Sequence, residues 1–208
     1  MVLKFSHSDK RSSCKPVSLN SQVTQRRETL EKEKENIAKR YWNNEAVETL
    51  VSDLSSLMDQ LILEAWHEQI SATQDIALFA VGGYGRQELH PGSDIDLLVV
   101  AKNPKKHSRA IELFLQNVFD LNVEVGHAVR DLSGCVNECK ADITVATAMF
   151  ERRQLAGDIT IEVAIGQALT QKKVWPAEKF FAAKYQEQVD RHKQFDDVDY
   201  NLEPNIKA

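Results

Sequence analysis

The sequence predicts a mixed α+β fold in which a small β-sheet packs with helices and helical extensions lie at both ends of the chain. Two apolar runs, residues 76–81 and 94–101, have the length of strands, and a glycine turn and a polar connection separate them. Residues 45–70 repeat apolar side chains at the i, i+3, i+4, i+7 spacing of an amphipathic helix. The charged residues 21–43 and 175–195 near the two ends also have helical periodicity.

Taken in order, the chain divides into four predicted regions. Residues 1–20 show no periodicity and are expected to form a flexible arm. Residues 21–71 form a helical N-terminal region, and residues 72–140 form the core that holds the candidate catalytic residues. Residues 141–208 form a C-terminal helical region that ends in a linker. The remaining elements predicted by periodicity are a helix over 108–119, a strand over 121–129, and helices over 132–139, 143–155 and 159–169.

The composition is that of a soluble globular protein, with 42% hydrophobic residues, 27% charged residues and a net charge of -5 over 208 residues. The chain has no block rich in lysine or arginine, which argues against binding to duplex nucleic acid. Its apolar runs are shorter than the ~18 residues of a membrane span, and its polar start lacks the apolar region of a signal peptide. We therefore expect a cytoplasmic protein with no nucleic-acid or membrane partner.

The three cysteines, Cys14, Cys135 and Cys139, form no C-x-x-C pair and leave an odd count, as in reduced intracellular proteins. Cys135 and Cys139 could form a zinc site with His127. A fourth ligand at the usual spacing is missing, however, and two small buried thiols are the simpler interpretation.

Asp94 and Asp96 open the second apolar run and are one residue apart. Because alternate side chains of a strand point to the same face, the two carboxylates are expected to converge with their origins roughly 6–7 Å apart. At an effective dielectric constant of about 20, two charges at that distance repel by ~2–3 kcal/mol. A cation would relieve this repulsion, and Mg²⁺ prefers carboxylate oxygens together with substrate phosphates. The pair therefore predicts a magnesium site.

The glycine turn supplies the second half of the candidate site. Gly82 and Gly83 permit positive φ and close backbone approach, so successive amides can bind a phosphate. Ser93 adds a hydroxyl donor, and Arg86 adds a guanidinium that suits phosphate oxygens. The segment matches neither G-x-G-x-x-G nor G-x-x-x-x-G-K-[ST], which excludes the two commoner phosphate loops. A hairpin with an acidic tip and no chemical role is the structural alternative.

Glu124 lies on the predicted strand over residues 121–129. If that strand lies beside residues 94–101, the Glu124 carboxylate can reach the aspartate pair as a third acidic group. The alternative is an exposed glutamate on an edge strand, in which case Asp142 is another candidate acid. His127 and Arg130 follow on the same strand and are assigned no role.

The motif Gly82-Gly83, ten residues and Asp94-Ile95-Asp96 resembles the signature of the DNA polymerase β-like nucleotidyltransferase superfamily. The longer string GGYGRQELHPGSDIDLL resembles the bacterial uridylyltransferase/uridylyl-removing enzymes that modify the nitrogen-regulatory protein PII. Three downstream segments extend this resemblance to the last residue, namely VEVGHAVRDL, ADITVATAMFERRQLAGD and YNLEPNIKA. Gln87 departs from the family pattern, which usually has glycine there.

The resemblance implies a polymerase β-like sheet and a Mg²⁺-dependent transfer of UMP from UTP to a tyrosine hydroxyl of PII, with release of pyrophosphate. Asp94 and Asp96 are then catalytic metal ligands, and Glu124 is a further ligand or the base toward the acceptor hydroxyl. In the family, a metal-dependent phosphohydrolase domain and two sensing domains follow. The chain has no His-Asp dipeptide, so we expect the amino-terminal transferase portion alone.

Three other functions are compatible with part of the sequence. A nucleotidyltransferase for a small molecule or for glutamine synthetase would use the same carboxylates. A non-catalytic nucleotide-sensing module would keep the glycine turn and could lose a carboxylate. A purely helical interaction domain would explain the two ends of the chain and leave the centre unexplained.

Overall fold

Two antiparallel helices and a four-stranded sheet organise the computed structural model, which describes residues 19–71, 74–170 and 174–194. The arm and linker predicted at the two ends lie almost entirely outside these residues. The helices are α1 Leu19–Trp42, α2 Val47–Gln69, α3 Gly82–Gly85, α4 Pro104–Phe119, α5 Leu132–Ala141, α6 Ile143–Phe150, α7 Ile159–Ala168 and α8 Ala177–Gln194. The strands are β1 Ile76–Ala80, β2 Ile95–Ala101, β3 Val125–Arg130 and β4 Arg153–Gly157.

The sheet is mixed, with the strand order β3-β2-β1-β4. β1 pairs with β2 and with β4 in antiparallel orientation, whereas β2 and β3 are parallel. Parallel neighbours need a crossover connection, and α4 supplies it. The predicted α+β class is confirmed, and the strand before Asp131 lies beside β2, which is the condition under which Glu124 could approach the aspartate pair.

The sheet lies between two apolar layers because successive side chains of each strand point to opposite faces. Ile95, Leu97 and Val99 of β2 belong to a core cluster that includes buried residues of α1, α2 and α4. Leu98 and Val100 belong to a second cluster with residues of α5, α6 and α7. Asp96 has the same parity as Leu98, so it lies on the face covered by α5 to α7.

One predicted helix is wrong over its last turn. The apolar pattern over residues 143–155 predicts a single helix, but α6 ends at Phe150 and residues Arg153–Gly157 form β4. β4 pairs with β1, so the sheet takes a strand from the region predicted to be wholly helical. The pairing provides hydrogen-bond partners for the backbone groups along one edge of β1. Local periodicity cannot predict a partner that is so distant in the chain.

A second difference concerns the start of β3. The predicted strand begins at residue 121, but Leu121 and Asn122 close the turn after α4, with Leu121 N donating to Val118 O at 3.0 Å. Asn122 has φ 60°, a left-handed conformation that interrupts a strand. β3 therefore begins at Val125 and leaves Glu124 just before it.

Within the described ranges, no helix combines the length and apolar character needed to cross a membrane.

Candidate functional site

The two predicted metal ligands lie at the start of β2. Asp94 directly precedes the strand and is exposed, whereas Asp96 is its second residue and is half-buried. The strand start is tied on both sides, since Val81 N donates to Asp96 O at 3.1 Å and Ile95 N donates to Glu124 O at 2.9 Å. The five residues after Asp96 are buried. A buried core strand therefore begins with two acidic side chains that solvent can reach.

The carboxylate of Asp96 lies between two glycines. A Cβ atom at Gly82 would lie 3.4 Å from Asp96 Oδ2, and a Cβ atom at Gly126 would overlap with Asp96 Oδ1. Gly126 is the register partner of Asp96 on the parallel strand β3. The backbone of the neighbouring strand therefore leaves room for this carboxylate because residue 126 has no side chain.

The predicted phosphate turn follows β1 and forms the short helix α3. Gly82 begins it at φ 59°, a left-handed conformation that glycine adopts without strain. The first amides of a helical turn have no acceptor within the helix, so the amides of Gly82 and Gly83 can bind an anion. Ser93 lies beyond the Pro91-Gly92 turn, with its amide donating to His90 O at 3.0 Å. Gly82 lies next to Asp96 in space, and Ser93 lies three residues before Asp96 in the chain.

Arg86 ends the glycine turn and is paired with two carboxylates. Its Nε donates to Glu88 Oε2 at 2.6 Å, and its Nη1 lies 2.6 Å from Glu151 Oε2. The hydrogen bond to Glu88 raises the pKa of the Arg86 guanidinium, which therefore stays charged. Its proposed phosphate contact requires exchange of a carboxylate partner for a phosphate oxygen.

Glu124 and Asp94 directly precede the paired strands β3 and β2. The parallel register begins with Ile95 and Val125, and Ile95 N donates to Glu124 O at 2.9 Å, so the backbones of the two acidic residues lie close together. Glu124 is exposed. Among the residues that the structure describes, no group of three or more His, Cys, Asp or Glu side chains is close enough to hold a metal ion. The role of Glu124 as third ligand or base stays a prediction.

Tyr84 of the glycine turn is buried and joins a hydrogen-bond network with α2 and β4. Its ring is 1% exposed, and its hydroxyl donates to Asp59 Oδ1 of α2 at 2.7 Å. Arg153 of β4 donates to Asp59 Oδ2 at 2.7 Å and lies over the Tyr84 ring at 5.6 Å from its centroid. Burial, with the Asp59 charge beside it, raises the pKa of the Tyr84 hydroxyl well above its ordinary value. Arg153 also donates to the carbonyl oxygens of Tyr84 and Gly85, each at 3.3 Å, and so fastens the glycine turn.

The structure separates the residues of the alternative zinc site. Cys135 and Cys139 are buried in the core on the α5 side, and burial raises the pKa of each thiol to about 11. His127 has the opposite parity to Gly126, and its ring packs edge-on against Phe119 of α4 at 5.3 Å. Asp142 accepts hydrogen bonds from the amides of Thr144 and Val145, so it caps α6.

Comparison with known proteins identifies the family of the chain. The family described as "Nucleotidyltransferase domain" matches residues 60–155, and the family described as "GlnD PII-uridylyltransferase" matches residues 179–208. A bifunctional uridylyltransferase/uridylyl-removing enzyme of Photobacterium profundum is 39% identical over 185 residues, which are 88% of this chain and 21% of that protein. The chain is a nucleotidyltransferase domain of the GlnD PII-uridylyltransferase family.

A relative of this nucleotidyltransferase domain with the same description, from Hydrogenovibrio crunogenus, is 42% identical over 78% of this chain and 18% of its own length. The chain thus spans about a fifth of the length of the curated relatives it matches. A solved toxin–antitoxin structure with AMP-PNP aligns with a TM-score of 0.36 at 19% identity, covering 67% of this chain and 97% of that chain.

Sequence reasoning missed two features of the candidate site. Gly126 lies inside an apolar strand, and a glycine at such a position is a known sign of close backbone approach. The Tyr84 network had no local signal, because Asp59 and Arg153 are 94 residues apart in the chain.

Proposed function

We propose that this domain transfers UMP from UTP to a tyrosine hydroxyl of the PII protein and releases pyrophosphate. The observation that carries the proposal is the Asp96 carboxylate, which lies between Gly82 of the phosphate turn and Gly126 of β3. An acidic group beside a free backbone turn suits a nucleotide's charged phosphates and a cation. The choice of uridine and of PII rests on the family and on the names of its members.

The donor set fits a magnesium ion. Asp94 and Asp96 offer carboxylate oxygens, which Mg²⁺ prefers, at the solvent-accessible end of a rigid strand. These two residues would hold the ion, with Glu124 as the proposed third ligand. When bound, the ion neutralises phosphate charge and lowers the pKa of the attacking hydroxyl.

The residues of the chain would divide the remaining work. The amides of Gly82 and Gly83, the Ser93 hydroxyl and Arg86 would bind phosphate oxygens and stabilise the charge of the leaving pyrophosphate. Glu124 would accept the proton of the tyrosine hydroxyl. In the step, the tyrosine oxygen bonds to the α-phosphorus while the bond from that phosphorus to the pyrophosphate oxygen breaks. The products are uridylylated tyrosine and pyrophosphate.

The proposal is tested by release of pyrophosphate with each of the four nucleoside triphosphates, Mg²⁺ and PII. We compare the wild type with Asp94→Asn, Asp96→Asn and a control, Asp190→Asn, which lies on the exposed side of α8. Because outer-shell groups of metal sites already contribute about 10- to 100-fold, loss of a direct ligand should lower the rate by at least about 100-fold. The control should match the wild type, and UTP should be the preferred donor.

Other results separate the alternatives. Full activity in Asp94→Asn or Asp96→Asn would refute the metal assignment. Preference for another nucleotide, or transfer to another acceptor, would indicate a nucleotidyltransferase of different specificity. Nucleotide binding without any pyrophosphate release would indicate a sensing module. In Glu124→Gln, metal binding should persist while transfer is lost, and normal turnover would exclude Glu124 as the base.

A further inference from the structure

A pocket of about 290 Å³ opens beside Asp96, between the sheet and α6. Leu98 of β2 and Ala128 of β3 line it from the sheet, and Arg130 lines it at the far end of β3. Its volume is near the lower limit of small-molecule pockets, roughly 300–1,000 Å³. The pocket is therefore large enough for part of a nucleotide and is continuous with the site described above.

The wall opposite the sheet comes from one stripe of α6. Thr144 and Ala148 are four residues apart on this helix and so lie on the same side of it, with Val145 beside them. The helix is held in place, because Asp142 caps its start and the next residues inward, Ala146 and Met149, are buried. The small side chain of Ala148 helps to keep the pocket open.

The position of the pocket relative to the phosphate turn indicates which part of a nucleotide the pocket would hold. Val81 and Asp96 line the end of the pocket that adjoins the glycine turn, and the pocket extends from there along β2 and β3 to Arg130. From Gly126 to Arg130 the strand covers four residues, or about 13 Å at the usual rise. If the α-phosphorus of the nucleotide lies beside Asp96, this length accommodates the ribose and then the base along the strand.

We infer that this pocket binds the nucleoside half of the nucleoside triphosphate, while the glycine turn binds its phosphates. This inference rests on the proposed function. The apolar side chains of Leu98, Val145 and Ala148 suit the faces of a flat base. The Thr144 hydroxyl and the Arg130 guanidinium supply hydrogen bonds to base or ribose oxygens. Arg130 can turn from Glu138 to the nucleoside because its Nη2 lies 3.5 Å from Glu138 Oε2, which is a long hydrogen bond.

The test separates nucleoside binding from phosphate binding. Calorimetric titration with Mg²⁺ and without acceptor measures the binding of UTP and of inorganic triphosphate. The wild type is compared with Ala148→Leu and with a control, Ala182→Leu, which lies on the exposed side of α8. Because overfilling a packed site costs about 1–3 kcal/mol, Ala148→Leu should bind UTP roughly 10-fold more weakly or worse. Its affinity for inorganic triphosphate should equal that of the wild type, and the control should bind both like the wild type.

A second variant guards against misfolding of the first. Thr144→Val keeps the side-chain volume at an exposed position and removes the hydroxyl, so it should weaken UTP binding and leave triphosphate binding unchanged. Unchanged UTP affinity in both variants would overturn the inference and leave the proposed function standing. A separate titration with PII in place of the nucleotides gives a second contradicting result: if the two variants weaken only PII binding, the acceptor tyrosine is the occupant and the inference is overturned. If the wild type bound neither UTP nor triphosphate, the proposed function would fail first.

Discussion

Asp96 Oδ1 occupies the space that a Cβ atom of residue 126 would need. The two residues are register partners on parallel strands, so the position of the carboxylate is determined by the absence of a side chain on its neighbour. The acidic motif and the glycine of β3 are 30 positions apart in the chain and form one unit in the sheet.

The Gly126→Ala variant should lose nucleotidyl transfer while keeping its fold. The added methyl group forces the Asp96 carboxylate out of position, and misplacement of a reacting group by about 1 Å can cost about 100-fold in rate. Pyrophosphate release measures the loss, and circular dichroism checks the fold.

Gly166→Ala is the matched control for this substitution. Its Cβ would meet the Arg152 Nη2 atom at 3.5 Å, an ordinary contact, and alanine is favoured over glycine inside a helix by up to ~1 kcal/mol. The control should keep full activity with equal or higher stability. Full activity in Gly126→Ala would show that Asp96 tolerates a different position.

The Tyr84→Phe variant should be destabilised by about 1.5 kcal/mol, the scale of a buried hydrogen bond to a charged group. The substitution removes only the hydroxyl that donates to Asp59. Urea denaturation measures the change in the free energy of unfolding. Tyr185→Phe is the control, since that side chain is 61% exposed and its substitution should change stability by less than about 0.5 kcal/mol. Equal stability of Tyr84→Phe and wild type would contradict the role of the network.

The Gln87→Gly variant should be stabilised by roughly 0.5–1 kcal/mol. Gln87 is exposed and has φ 62°, a left-handed conformation that costs a residue with a Cβ about 1 kcal/mol or more. Gln116→Gly, inside α4 and exposed, provides the opposite control and should be destabilised by up to about 1 kcal/mol. Thermal denaturation ranks the three proteins. A loss of stability in Gln87→Gly would mean that the turn does not strain glutamine.

Asp158 should make the stability of the domain depend on pH in the acidic range. Hydrogen bonds from the side chain and amide of Thr160 and from the amide of Asp75 lower the pKa of Asp158 to about 2. The unfolded chain has an aspartate pKa near ~3.9, so the stabilisation is complete above that value and is lost as the pH falls through about 2.

The Asp158→Asn variant measures this contribution. Asparagine keeps a capping oxygen and has no charge, so the melting temperature of the wild type should exceed that of the variant by a constant amount above about pH 5. The difference should shrink as the pH approaches 2. A difference that stays the same across this range would exclude Asp158 as the titrating group.

The sequence predicts the features that are local and misses those that depend on distant partners. The face of α2, the strand β1 and the helix α5 follow from periodicity, and the structure confirms them. The aspartate pair and the glycine turn were found because strand parity and backbone freedom are properties of adjacent residues. β4 was missed because its pattern also fits a helix, and only pairing with β1 decides between the two. The departure at Gln87 was visible in the motif, and the structure gives its physical meaning as a positive φ.

Arg153 contacts the carbonyl of Gly85 from a position 68 residues further along the chain. During synthesis, the GGYG segment leaves the ribosome long before β4, so a nascent chain carries the whole motif before the residue that fastens it exists. Domains generally fold as units, and pairings between distant segments form slowly. A partly translated polypeptide should therefore be unable to hold its glycine turn in the nucleotide-binding conformation until β4 has emerged.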